Sequence, residues 1–191
     1  MREIVARISQ AVRFHVHGSA AVLEAAFPRG VHVNTDVALD LSLLRSRFWV
    51  ATSMHSNPND YVYYGNKNGQ SIALKRVDHD EVELRLKTQD DEHRTYYRYR
   101  GIYGTPKESA VESNLFDPRT RLWYRLAQHT PMHIWTTVYI DFSSDDLVVT
   151  RAKRVLNEQD QVEGVVATDV SLKEINQFIS ALNLNWLLLL W

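Results

Sequence analysis

The 191-residue chain contains no cysteine, which excludes disulfide scaffolds, thiolate metal sites and cysteine nucleophiles together. That absence leaves the compartment open, because a periplasmic domain of this size folds without disulfides. Net charge is almost absent too: 22 basic against 23 acidic side chains leave a formal −1. No overall field recruits nucleic acid or an anionic membrane, so nucleic acid is not expected as a partner. The N-terminus lacks a basic stretch followed by an apolar run, so no signal peptide is read there. Long apolar runs are also missing. The six residues Trp186–Trp191 fall far short of the roughly 20 that span a bilayer. They read either as the opening of a membrane helix or as the last turn of a core helix.

Signatures of catalysis are missing as well. The chain has no G-x-S-x-G elbow, no phosphate-binding Gly-rich loop and no H-E-x-x-H pair. His15 and His17 stand two apart on an expected helix and diverge. His129 and His133 have helical spacing, but Pro131 between them breaks the helix that spacing needs. No catalytic residue, metal ligand or cofactor is therefore assigned. What remains is an ordinary globular composition, 45% hydrophobic and 24% charged, enough for one domain with its own core.

Hydrophobic spacing then divides the chain. Val5, Ile8, Val12, Val16, Ala20, Leu23 and Phe27 recur at steps of three and four, predicting a long helix stopped by Pro28 and Gly30. A second helix is predicted from Asn34-Thr35-Asp36 through Val37, Leu41, Leu44 and Phe48. From about Asp60 the period drops to two. Strands are predicted at Tyr61–Tyr64, Ser71–Leu74, Val82–Leu86 and Thr95–Tyr99, the first two joined by a turn ending in Asn68-Gly69. A short helix over Thr120–Gln128 precedes strands at Ile134–Asp141, Leu147–Val155 and Val162–Asp169. Ser171 and Glu174 form a capping box opening a last helix through Leu172, Ile175, Phe178, Ile179 and Leu182. Helices segregated from an antiparallel sheet give an α+β fold. We divide it into a helical region (1–56), a binding lobe (57–185) and the apolar tail (186–191).

The densest cluster of chemistry lies between Phe116 and Tyr124. Arg121 offers a planar fork matched to a carboxylate, and Trp123 and Tyr124 add rings and donors. Tyr139 and Asp141 sit two apart on one strand face, and Asp169 closes a later strand. Brought together, these side chains make a pocket with a cationic end, an anionic end and aromatic walls, which suits a small zwitterion. Blander readings exist for each. Arg121 pairs with Asp117 or Glu112 on the surface; Trp135 is a core aromatic; Asp141 is a turn residue; Asp169 assists the final helix cap.

The ordered residues Asp117-Pro118-Arg119, Arg121, Trp123-Tyr124, Trp135-Thr136, Tyr139 with Asp141, and Gly164-Val165-Val166 followed by Asp169, Ser171 and Leu172 resemble a family pattern. It is that of the double-Cache, or PDC, sensor domains, the PAS-like extracytoplasmic modules of chemoreceptors, histidine kinases and diguanylate cyclases. The resemblance implies a PAS-like sheet, a periplasmic location, attachment to the membrane through segments outside this chain, and a homodimer along the N-terminal helix. It implies no enzymatic activity in this chain. By the same resemblance to amino-acid-sensing members, Arg121 and Trp123 hold a ligand carboxylate, Tyr124 and Asp169 hold its ammonium group, and Tyr139 and Asp141 line the cavity. Two positions depart from the pattern. Phe116 stands where the family has tyrosine and removes a hydroxyl from the carboxylate end; Leu122 replaces a proline. A second lobe, nearer the membrane, is expected beyond this chain. The leading expectation is a sensor for an amino acid or related amine or carboxylate. Its rival is a ligand-free dimerisation module of the same fold, with an enzyme third.

Overall fold

The computed structural model describes residues 2–54, 61–90, 92–142, 144–173 and 175–177. The N-terminal apolar row forms α1 (Arg2–Ala26), which ends ahead of Pro28 and of Gly30 at a φ of +77°. Its last turns bury Val22, Leu23, Ala26 and Phe27, while Val5 near its start stays exposed. The second helix, α2 (Leu41–Ser53), begins later than Asn34-Thr35-Asp36 suggests. Side chains hold the backbone donors of that segment instead: Asp40 accepts from the Asn34 amide (2.6 Å), Gln70 from Val37 (3.0 Å) and Asp36 from Ala38 (3.0 Å). Such bonds compete with a helix for the same groups. At its far end α2 meets the buried Arg76 guanidinium, which donates to the carbonyls of Trp49 (3.0 Å) and Thr52 (3.2 Å). A cation there satisfies orphan carbonyls and complements the helix dipole.

The strands are β1 (Tyr61–Asn66), β2 (Ser71–Arg76), β3 (Glu81–Lys87), β4 (Thr95–Arg100), β5 (Lys107–Val111), β6 (Ile134–Trp135), β7 (Tyr139–Ile140), β8 (Leu147–Leu156) and β9 (Val162–Ser171). They form one antiparallel sheet in the order β5-β4-β3-β2-β1-β9-β8-β6, with β7 also paired to β8. The last strand returns beside the first, so β1 and β9 lie at the centre. The α+β expectation holds. Two details differ from the sequence reading. The expected strand Ile134–Asp141 is broken into β6 and β7, and β5, a fully exposed edge strand, was not expected. The expected helix 120–128 is a 3-10 turn at Pro118–Thr120 followed by α3 (Leu122–Ala127).

Alternation along the strands gives the sheet two unlike faces. One turns Val62, Tyr64, Ile72, Leu74, Val82, Leu84 and Val166 toward α1 and α2, where they close on Phe27, Leu44 and Phe48. Each such side chain, fully buried, contributes about 1.5–3 kcal/mol. The helices are also tied to the sheet by charge. Glu24 of α1 pairs with Lys153 of β8 (2.9 Å) and with His133 Nε2 (2.8 Å). Arg151 Nε donates to His133 Nδ1 (3.1 Å), so Nε2 carries the hydrogen given to Glu24. Burial holds the His133 pKa below its ordinary value, although Glu24 pulls the other way.

Ser171 ends β9, and residues 172–173 and 175–177 are helical. Glu174 of the capping box, Phe178, Ile179, Leu182 and the tail 186–191 lie outside the described residues. Among the described residues, no helix is long and apolar enough to cross a membrane.

Candidate functional site

The second face of the sheet carries a cavity of about 380 Å³. Its floor is open because small side chains alternate with large ones. Ser71 and Ala73 of β2 lie opposite Gly65 and Tyr63 of β1 on this face, and neither fills the space above it. The wall is the 116–124 stretch, which braces itself. Asp117 accepts from the Arg119 amide and guanidinium (2.9 Å each), capping the 3-10 turn. Pro118 packs on Gly65, where an added Cβ would stand 2.3 Å from the proline ring. Buried Lys87 donates to the Phe116 carbonyl (2.7 Å). Tyr139, Ile140, Asp141, Phe142 and Asp145 also line the cavity.

Five of the expected residues meet at this cavity: Phe116, Arg121, Trp123, Tyr139 and Asp141. Trp123 is buried edge-to-face against Tyr63, with centroids 5.0 Å apart. The surface partners considered for Arg121 are taken by other arginines. Arg119 holds Asp117, and Arg94 holds Glu112 in a two-point contact at 2.7 and 2.5 Å. The Arg121 guanidinium makes no ion pair with any described residue and lies 4.4 Å over the ring of Phe142. A guanidinium seated on an aromatic plane at a cavity wall has the geometry that suits a carboxylate.

Two expectations are corrected in placement. Tyr124 is buried in the core beneath α3, off the cavity wall, because consecutive helical side chains point about 100° apart and Trp123 takes the cavity side. Asp169 lines a second, adjoining cavity of about 240 Å³, and Tyr61 and Asp141 border both. Its Oδ1 accepts from Tyr63 (2.7 Å) and Thr150 (2.5 Å), and Thr150 Oγ1 meets the Tyr139 hydroxyl at 2.6 Å. Burial raises the Asp169 carboxyl to about 7, outweighing these two hydrogen bonds, and nearby Asp141 pushes the same way. Burial likewise raises the Tyr63 and Tyr139 hydroxyls above their ordinary range. Asp141 is fixed by Ser144, whose amide (2.8 Å) and hydroxyl (3.0 Å) donate to Oδ2. Trp135, expected in the core, is 37% exposed because β6 is an edge strand, and it stacks with Arg151.

The sequence reading missed Tyr61, Tyr63, Ser71, Arg94 and Phe142. The two tyrosines were visible as an i, i+2 pair on one strand face. Ser71 Oγ is buried at the cavity floor with no hydrogen-bond partner among the described residues. Nor do three or more histidine or acidic side chains among those residues gather as a metal site.

Residues 43–177 match the model of the first PDC sensor domain of methyl-accepting chemotaxis protein-like receptors. The chain belongs to this family. PDC domains of this kind are non-enzymatic extracytoplasmic sensors of small molecules, so this chain is a sensor module. Among its relatives is the methyl-accepting chemotaxis protein McpC of Bacillus subtilis, 32% identical over 114 residues, 58% of this chain and 17% of McpC. Another is PscA of Pseudomonas syringae pv. tomato, 44% identical over 68 residues, 36% of this chain and 11% of PscA. The PDC chain thus spans about a sixth or less of these receptors. The ligand-binding region of the Campylobacter jejuni chemoreceptor Tlp3 has a similar fold. The Tlp3 structure with isoleucine has a TM-score of 0.58 at 14% identity, covering 93% of this chain and 60% of that one. The structure with L-norvaline gives 0.56 at 14% identity, covering 93% and 59%.

Proposed function

We propose that the larger cavity binds an α-amino acid, with Arg121 and Trp123 at its carboxylate and Asp141, beside Tyr139, at its ammonium group. One observation carries the reading: the Arg121 guanidinium lines the cavity and makes no ion pair with a described residue, Glu112 and Asp117 being held by Arg94 and Arg119. Asp169 stands behind the Tyr63–Thr150–Tyr139 hydroxyls and accepts from two of them. Phe116 supplies no hydroxyl, and its ring instead stacks beneath Arg94 at 3.7 Å. The amino-acid ligands named for the Tlp3 structures accord with this class.

In this reading residues 57–185 form the binding lobe and residues 1–56 its helical lead toward the membrane, in a receptor whose other parts lie outside this chain. Two copies pair along α1, where Val5 of the apolar row is exposed. Because the chain has no cysteine, Val5→Cys provides a single cross-linking position, and absence of a disulfide-linked dimer argues against that pairing.

The ligand is tested by a thermal-shift screen of amino acids, polyamines and small organic acids. A ligand at 100 times its Kd stabilises by roughly 2.7 kcal/mol. We expect an amino-acid hit that Arg121→Ala abolishes. A broad library without a hit favours the ligand-free module.

A further inference from the structure

The second cavity contains a cation that neither the larger cavity nor its ligand contacts use. Arg85 of β3 is 7% exposed and lines that cavity beside Tyr61. It sits on the binding face, directly opposite Ala73 of the larger cavity's floor. Its guanidinium is held in place on three sides. The Tyr96 ring lies 4.7 Å away, the Tyr61 ring 5.4 Å away, and Nε donates to Glu83 at 3.0 Å. Nη1 is buried and has no hydrogen-bond partner among the described residues. A buried guanidinium N–H without an acceptor carries a desolvation cost that a ligand acceptor removes. Lys75 and Lys173 line the same cavity, so Arg85 is one of its three cations among the described residues. Asp141, Asp146 and Asp169 line it too, but Oδ2 of Asp141 is taken up by Ser144 and Oδ1 of Asp169 by two hydroxyls.

We propose that Arg85 forms a side-chain subsite, and that the ligand is an α-amino acid bearing a second carboxylate which reaches past Tyr61 to the Arg85 guanidinium. This rests on the amino-acid reading above and narrows it. A carboxylate is favoured over a neutral acceptor because a charge-assisted bond to a preoriented guanidinium is about twice as strong as a neutral one.

The test is calorimetric titration of the domain with L-aspartate and L-glutamate against L-asparagine, L-glutamine and L-valine. The acidic ligands are expected to bind at least about tenfold more tightly than their amides. Arg85→Met should erase that preference while neutral amino acids still bind. Because this variant leaves Glu83 with only the more distant Arg98 at 3.7 Å, Glu83→Gln combined with Arg85→Met provides a charge-balanced check, with folding monitored by circular dichroism. Neutral amino acids binding as well as acidic ones, or a preference that survives in a folded Arg85→Met protein, overturns the subsite and leaves the amino-acid reading standing. No amino acid binding at all overturns both.

Discussion

The two faces of the central sheet are built from the same strands and do opposite things. On β1, Val62 and Tyr64 are sealed under α1 and α2, while Tyr61 and Tyr63 border the cavities. The helix side is mainly apolar, with Arg76 and Lys153 tied to groups on the helices. The binding side interrupts its aromatics with Ser71 and Ala73, leaving hollow space, and places arginines and aspartates around it. The difference teaches that one face supplies the stability on which the other, with its hollow space and desolvated Asp169, depends.

Substitutions should separate the two faces, beginning with the largest effect. Phe48→Ala removes a fully buried ring from the helix side and should cost about 3–5 kcal/mol in urea unfolding. A loss below about 1 kcal/mol would show that this face is not tightly packed. Arg121→Ala should weaken ligand binding by about 100-fold yet leave the melting temperature of the free domain nearly unchanged, since no described residue pairs with its guanidinium. A large fall in melting temperature would instead make it structural.

Asp169 gives the next effect. Its carboxyl at about 7 lies above the roughly 3.9 of an unfolded aspartate, so the folded domain prefers the protonated form. That contribution is complete below about pH 4 and is lost as pH rises through about 7. Unfolding measured at pH 5 and 7.5 should show the wild type losing stability relative to Asp169→Asn; parallel profiles would reject the assignment. Smallest is Ser71→Ala, which relieves an unpartnered hydroxyl. It should change stability by no more than about 1 kcal/mol and ligand affinity by less than about tenfold, read by melting and calorimetry.

Periodicity made the long helix, the central strands and the turn at Gly69, with its φ of +79°, readable in advance. Each depends on local pattern. The delayed start of α2 was not readable, because Val37 gives its amide to Gln70, 33 residues away. The edge strand β5, Lys-Glu-Ser-Ala-Val, has no alternation to announce it. At the site, the motif led to Arg121, Trp123, Tyr139 and Asp141. It misplaced Tyr124 because the rotation of α3 decides which of two adjacent rings meets the cavity. Asp169's tie to Tyr63 spans 106 residues and exists only once β9 lies beside β1.

Strand β8 has a consequence of its own. Thr150 touches the hydroxyl group cluster on one side, while Arg151 and Lys153 grip His133 and Glu24 on the other. The strand thus joins the hydroxyls behind the cavity to the carboxylate of the long helix within three residues.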